Sequence, residues 1–513
     1  MKLALRSAAI IAALAGMIAV AGCTGNASTP SEPGQSAGDV DRSAKIVVAA
    51  PAAVTQWDVA RNVGGPETAV LKLVYDTIVD VDEGMQPVPA LATEWTTEDS
   101  GLTYEFTLRD DVVFTDGTPF DAEVARQNLD RMMSLEGSTL SAGLANIESV
   151  EAVEDHVLRI TQKKPDVSLV AILADRYGVM MSPASWESGE VTAPVGSGPY
   201  VWSAEQQTVS LTLERNEDYR DVDAVQLAGV EIEVMPDALA RLNAIKTGAV
   251  DMALVTSEQI AEAEQLDGYS LYRQKFNQRI ITINPELEPA LADPKVRLAL
   301  NLAIDREGMV NGVLFGEGEP AYQILPSGVF GYTEGISGEY DPDRASELLA
   351  EAGYADGLSF HFVSQPALQK EAEVLKANWA EIGVDIELEL LPGSGAGVAL
   401  WYEKSAAIGM LPFLGRMDPG IAYTNLFGTG QVINASNLNT PEITGLLTEA
   451  MSTVDSGERS QVFADLAEIL VDEPQGTWPV AFAYQAVVYS DELVGVGEYA
   501  LGFPVLRGVG KTS

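Results

Sequence analysis

One cysteine, Cys23, and two histidines, His156 and His361, are the only thiol and imidazole groups in 513 residues. A zinc or nickel centre built from side chains needs several such ligands at close spacing. The histidines stand more than two hundred positions apart, in the strand-like runs VEDHVLRI and LSFHFV, with no second ligand nearby. No metal site and no cofactor is therefore expected. A serine activated by histidine and aspartate could still be assembled in space, but no G-x-S-x-G turn marks one. The glycine-rich stretches GSG (196–198) and GSGAG (393–397) lack the pattern of a phosphate cradle and read as tight connections.

Cys23 stands directly behind an apolar run. Lys2 and Arg6 give a positive start, and from Ser7 to Gly22 there is no charge. That order is a secretory n-region and h-region. It is shorter and richer in small residues than the roughly 20 apolar residues of a spanning helix. Val20-Ala21-Gly22-Cys23 resembles a bacterial lipobox, in which small residues fit the signal peptidase and the thiol receives lipid. An ordinary signal peptide ending near a free thiol is the plainer alternative. Residues 1–22 are thus read as a lipoprotein-type signal, and 23–42 as the lipidated cysteine with a flexible tether. TGNASTPSEPGQSAGDVDR (24–42) has too few large apolar side chains to fold. As a coil its ends would lie about 25 Å apart.

Beyond the tether, a 46% hydrophobic composition demands a packed core, and the length suggests two or three domains. The net charge of −44 disfavours a nucleic-acid role, since phosphate binding needs a basic footprint. It equally disfavours adhesion to anionic lipid heads.

The elements alternate. AKIVVAA (44–50) reads as a buried strand, and 92–115 as a hairpin or meander with Leu102, Tyr104, Phe106 and Leu108 on one face. Asp237 caps a helix that points Leu239, Leu242 and Ile245 inward and stops at Gly248. Asp293-Pro294 and Asp341-Pro342 open two more, the first with Asp305-Arg306 as its helix-end pair and the second closed by Gly353. Their stripes are Val296, Ala299, Leu300, Ala303, Ile304 and Ala345, Leu348, Leu349, Ala352. A fourth carries Leu368, Ala372, Leu375, Trp379 and Ile382 and leads into the strand VDIELEL (384–390). Strand–helix–strand alternation indicates α/β layers.

Several stretches resemble, in order, the blocks of the family 5 solute-binding proteins of peptide-type ABC importers. They are PVPALATEWTTEDSGLTYEFTLRDDVVFTDGTPFDAEVARQNLDRM (87–132), GSGPYVWS with LTLERNEDYR (196–220), RLNAIKTGAVDMA (241–253) and VRLALNLAIDREGMVNGVLFGEGEPA (296–321). YDPDRASELLAEAGY (340–354), ANWAEIGVDIEL (377–388) and FADLAEILVDE (463–473) complete the set. The resemblance implies a two-lobed, periplasmic-binding-protein-like α/β clamshell of the class II type, with an extra subdomain inserted in lobe one. Lobe one would comprise 43–78, 194–274 and 476–513, the insert 79–193, and lobe two 275–475. It implies a monomeric, lipid-anchored carrier on the outer face of the bacterial cytoplasmic membrane. Such a protein takes a small solute, peptide or peptide-like, between its lobes and delivers it to permease subunits with their ATPases. No covalent chemistry is implied. A secreted, lipid-anchored hydrolase using the same cleft is the alternative, and a ligand-presenting signalling receptor a third reading.

Family position directs attention to TQWD (55–58), KFNQR (275–279), WYEK (401–404), FLGRMDPG (413–420) and AFAY (481–484). Trp57, Asn277, Trp401, Tyr402, Arg416, Asp418 and Tyr484 are the candidate ligand contacts, with core packing the ordinary alternative for the aromatic ones. The resemblance also carries a departure. Peptide-binding relatives carry an aspartate three residues before the Asp-Pro pair, where it meets the peptide's ammonium. Counting back from Asp418-Pro419 reaches Gly415. That ammonium loses a charge-assisted partner. Asp418 could substitute, Arg416 could meet an anion, or the two could pair with each other. Opines, modified peptides, oligosaccharides and metal chelates stay open as ligands.

The lipobox reading is tested directly. Cys23→Ala should leave the folded body intact yet shift it from the membrane fraction to the supernatant. Retention of the variant on membranes after a salt wash would contradict it.

Overall fold

The computed structural model describes residues 40–497 and 506–512, apart from 63–66, 84, 188, 207, 417 and the side chain of Phe276. The signal segment and Cys23 lie outside them. Val40 bridges to Thr512 and the Asp41 amide donates to the Lys511 carbonyl at 2.8 Å, so ordered structure begins slightly before the expected boundary at 43.

Eleven strands form one mixed sheet. In chain order they are β1 (Lys45–Ala50), β2 (Tyr200–Gln206), β3 (Ser210–Arg215), β4 (Gly229–Val234), β5 (Met252–Thr256), β6 (Tyr269–Ile283), β7 (Gly318–Pro320), β8 (Leu358–Ser364), β9 (Val384–Leu390), β10 (Ile408–Leu414) and β11 (Thr477–Ser490). Their spatial order is β9-β8-β10-β6-β11-β5-β1-β4-β3-β2, with β7 also on β11. Parallel pairs sit in each half: β1 with β4 and β5, and β8 with β9 and β10. Helices cover these crossovers, as parallel strands require.

β6 and β11 run antiparallel through both halves. Tyr269 to Gln274 pair with Ser490 to Gln485; then the register shifts, and Asn277 to Thr282 pair with Ala483 to Thr477. Before the shift β11 borders β5, and after it β6 borders β10. The two lobes of the α/β clamshell lie to either side.

A second sheet of four antiparallel strands occupies the inserted region, ordered Ala92–Glu98, Thr103–Leu108, Val157–Gln162, Ile147–Glu154. It has no core of its own: Phe106, Phe114 and Leu158 belong to the same buried cluster as Ile46 and Val48 of β1. In the other half, Ile281, Leu300, Leu349, Phe362 and Trp379 form one cluster and Phe413, Tyr423, Phe427 and Phe463 another. The Trp379 indole satisfies its donor on the Leu300 carbonyl at 3.0 Å.

The expected helical stripes at 296–304, 345–349 and 368–382 are buried. The stripe at 238–246 is rotated from expectation. Leu242 and Ile245 are buried, but Leu239 is 58% exposed. Arg241 takes the inner place because its Nε donates to the Leu254 carbonyl and its Nη1 to the Met235 carbonyl, both at 2.7 Å. Asp305 and Arg306, expected to end a helix, instead begin one: Asp305 accepts from the Gly308 amide at 2.7 Å. Arg306 is buried, donating from Nε to the Ala321 carbonyl at 2.9 Å, and burial pulls its pKa down to about 10.

GSG at 196–198 is a close backbone approach to the end of helix Glu67–Val74. The Gly198 amide donates to the Val74 carbonyl at 2.9 Å, and a Cβ on Gly196 would stand 2.1 Å from that oxygen. Gly445 is the opposite case, mid-helix in Pro441–Ser452 with nothing within 4 Å of an added Cβ. Gly196→Ala should lower stability by about 1–3 kcal/mol through overpacking. Gly445→Ala should raise it by about 0.5–1 kcal/mol through helix propensity. Urea unfolding of the two variants side by side checks both signs.

Candidate functional site

The register shift between Gln274 and Asn277 borders a cavity of about 860 Å³. That volume is typical of sites for small solutes. Both halves wall it. Helix Glu67–Val74 and the residues after it bring Lys72, Tyr75 and Asp76. The inserted region brings Asp166, Asp175, Arg176 and Tyr177. Gln274 and Asn277 come from β6 and Gln485 from β11. From the other half come Tyr402, the end of β10 with Gly415 and Arg416, and Thr424 and Asn425 of helix Pro419–Phe427.

Of the seven expected contacts, Asn277, Tyr402 and Arg416 line this cavity. Asn277 is fixed by its Oδ1, which accepts from Arg279 Nη1 at 2.7 Å. Tyr402 is 70% exposed, an aromatic ring left open to the cavity. The Arg416 Nη1 donates to the Leu414 carbonyl at 2.8 Å, and its guanidinium lies 5.0 Å from the Phe413 ring centre. Surrounding protein lowers its pKa by desolvation.

The other four lie elsewhere. Trp57 is buried, its indole donating to Glu205 at 3.2 Å. Trp401 packs on the cluster of Phe413 and Phe463. Asp418 and Arg416 do not pair. Asp418 is buried and accepts Arg459 Nη1 and Nη2, one on each oxygen, both at 2.6 Å, while its Oδ1 also caps helix Pro419–Phe427 through the Gly420 amide at 2.8 Å. With both oxygens engaged it is no substitute for the aspartate that the resemblance would put at 415. Tyr484 stands at the crossing, donating its hydroxyl to Glu319, which Lys275 also meets at 3.1 Å.

The inserted region's contribution was not anticipated. Arg176 and Tyr177 sit in ADRYG (174–178), and the one available signal was an arginine beside a tyrosine in a chain with only 31 basic residues. Tyr177 is held against Gly143, where an added Cβ would come within 2.5 Å of the ring. Asp166 accepts from the Ser168 amide at 2.9 Å and its hydroxyl at 2.5 Å, but burial, with Asp418 adding to it, pushes its carboxyl above the usual range. For Asp80 burial acts in the same direction, yet Lys72 at 2.6 Å and the Val81 amide outweigh it and hold the carboxyl low.

The two halves also touch directly. The Val167 amide donates to the Met451 carbonyl at 2.9 Å, and Lys370 meets Glu258 across the surface at 2.5 Å. Among the described residues Ser168 is the one serine lining the cavity, and its hydroxyl donates to Asp166. Among the described residues, no group of three or more His, Cys, Asp or Glu converges, and no helix is long and apolar enough to cross a membrane.

Comparison with known proteins gives a consistent picture. The model of bacterial extracellular solute-binding proteins, family 5, matches residues 86–435. Heme-binding protein A of Haemophilus influenzae is 28% identical over 488 residues, covering 85% of this chain and 86% of its own. Glutathione-binding protein GsiB of Escherichia coli O1:K1 is 29% identical over 427 residues, covering 79% and 82%. The structure of HbpA2 from Haemophilus parasuis superposes with a TM-score of 0.81 at 24% identity, covering 91% of this chain and all of that one.

Asp418 is thereby a framework residue. Asp418→Ala should cost about 3–5 kcal/mol, because Arg459 is left buried without its partner. Tyr402→Ala should change stability by less than about 0.5 kcal/mol. Chemical denaturation of both variants distinguishes framework from cavity wall.

Proposed function

This chain belongs to the bacterial extracellular solute-binding proteins of family 5, and on that footing we propose that it is a lipid-anchored carrier of a peptide or peptide-like solute. Members of this family deliver solutes to ABC transporter permeases. Cys23 would hold the mature protein to the outer face of the cytoplasmic membrane, with the segment to about 42 as a leash. More than one acyl chain gives the stable anchoring that a single chain does not.

The observation that carries the reading is the position of the cavity, at the register shift where β6 and β11 pass between the halves. We take lobe one as 43–78, 194–274 and 476–513, the insert as 79–193, and lobe two as 275–475. The first half of β11 packs with the second lobe. A solute touching both walls binds the closed form better than the open one, and that difference alone shifts the population toward closure. Two strands crossing between rigid halves suit a hinge. Asn277 and Gln485 would then meet the solute at the hinge side, and Tyr402 and Tyr177 would supply aromatic walls. The curated relatives bind heme and glutathione, which differ greatly in size but are both peripherally carboxylated. It would act as a monomer, a reading supported by a cavity walled by a single chain.

Calorimetric titration with a panel of dipeptides, glutathione and heme, run beside small-angle scattering, tests this. A stable one-to-one complex, a smaller radius of gyration on binding, and no product are expected. Turnover without a stable complex, or a bound state no more compact than the free one, would overturn it.

A further inference from the structure

The bond from the Val167 amide to the Met451 carbonyl, at 2.9 Å, joins the inserted region to the second half of the chain. Asp166 and Met451 both line the cavity, so this joint stands at its edge. Each side of it is held by its own half. The Asp166 amide donates to the Gly101 carbonyl at 3.2 Å, and Gln162 Nε2 donates to the Asp166 carbonyl at 2.7 Å. Across the joint, the end of helix Pro441–Ser452 is fixed by Arg459, whose Nε donates to the Ala450 carbonyl at 2.6 Å.

Beside the joint stands a carboxylate that the facing cation does not serve. Asp166 Oδ1 accepts from the Ser168 amide and hydroxyl, neither of them charged. Arg459 faces it, but its Nη1 and Nη2 both go to Asp418 at 2.6 Å. Asp418 faces it too, as a like charge. Tyr104, on the neighbouring strand Thr103–Leu108, stays neutral, because burial pushes its hydroxyl up to about 12. Lys163, on the same loop as Asp166, turns its Nζ to the Ala145 carbonyl at 2.6 Å, and Lys164 is exposed. Asp99 on the adjoining turn and Glu449 on the adjoining helix are exposed as well. Burial, with Asp418 adding to it, thus disfavours the charged form of Asp166 while the halves touch.

We propose that Asp166 is a proton site that governs closure: the halves shut with this carboxyl protonated, and its ionisation drives them apart. This rests on the carrier reading above and adds the proton as a second ligand of the same movement. When the halves part, water returns to the carboxylate and Asp418 recedes, so the open form binds the proton less tightly than the closed one. Below the ordinary carboxyl range both forms are protonated and closure carries no penalty. As pH rises past that range the open form ionises first, and closure weakens by up to about tenfold per pH unit until the closed form ionises too. Solute is then held more tightly on the acid side and let go toward neutrality.

Hydrogen exchange read by mass spectrometry on the mature protein without solute, between about pH 4 and 7, tests this. With rates corrected for their intrinsic pH dependence, protection of the Val167 amide reports the joint, and small-angle scattering reports compactness alongside. Asp166→Asn keeps an oxygen for Ser168, and Asp166→Ala is a second neutral form. Lys370→Gln breaks the other tie between the halves, to Glu258. Thermal unfolding shows that all are folded. Wild-type protection should fall as pH rises, by about tenfold over one unit at its steepest. Both neutral variants should lose that fall, and Asp166→Asn should stay protected at pH 7. Lys370→Gln should lower protection by a constant factor and keep the fall. Acid relieves the self-repulsion of the surface in every variant alike, so the difference between Asp and Asn decides. An Asn variant that falls as the wild type does, or a wild type as flat as the Asn variant, would overturn the proton site. An amide unprotected at every pH in all four proteins would overturn it as well. The carrier reading is decided separately, by the solute titration above.

Discussion

Two long strands bear the whole connection between the halves of the central sheet. β6 and β11 are antiparallel along nearly their full length, and their ladder shifts register between Gln274 and Asn277 and again between Arg279 and Ile280. On each side the strands are bound into stiff surroundings: β5 and β1 on one, β10 and β8 on the other. Deformation therefore concentrates where the ladder is interrupted, because intact ladders resist shear while an irregular step does not. The cavity borders the first of these steps. Its walls come from the two sides of that step, and Gln274, Asn277 and Gln485 line it at the step itself. A polar cluster of Lys275, Glu319, Ser327 and Tyr484 ties the step together on its other flank.

Much of the architecture was legible in the chain. The Asp-Pro helix starts, the glycines closing helices at Gly248 and Gly353, and the apolar stripes of the second half all express local rules, and each appears where the periodicity puts it. The miss at Leu239 shows the limit. Periodicity counts apolar residues, whereas the inner place went to an arginine whose charge is answered by carbonyls from two other segments. Nothing within the helix could reveal that. Asp305 was misplaced for a related reason, since a cap looks the same from either side until the next helix is seen to start.

The site was less legible than the fold. Asn277, Tyr402 and Arg416 were found through their position in a recognised pattern, and Asp418 was misread as available when its partner, Arg459, lies on a helix 41 residues further on. The lining from the inserted region escaped altogether. Its residues are far from the rest in sequence, and the sharing of one core between that region and β1 is what brings them in. Long-range packing decides which polar side chains are left facing a void.

The acidity of the chain has a consequence for the kind of water this protein works in. Its exterior carries most of a −44 charge, while the cavity lining is balanced. For a negatively charged guest, attraction is confined to the last few ångströms and repulsion reigns outside. At about 0.15 M salt that outer field fades within roughly 8 Å, but at about 0.01 M it extends some 30 Å. For such a guest, salt sets the reach of the outer field: more of it shortens that reach, and less of it lengthens it.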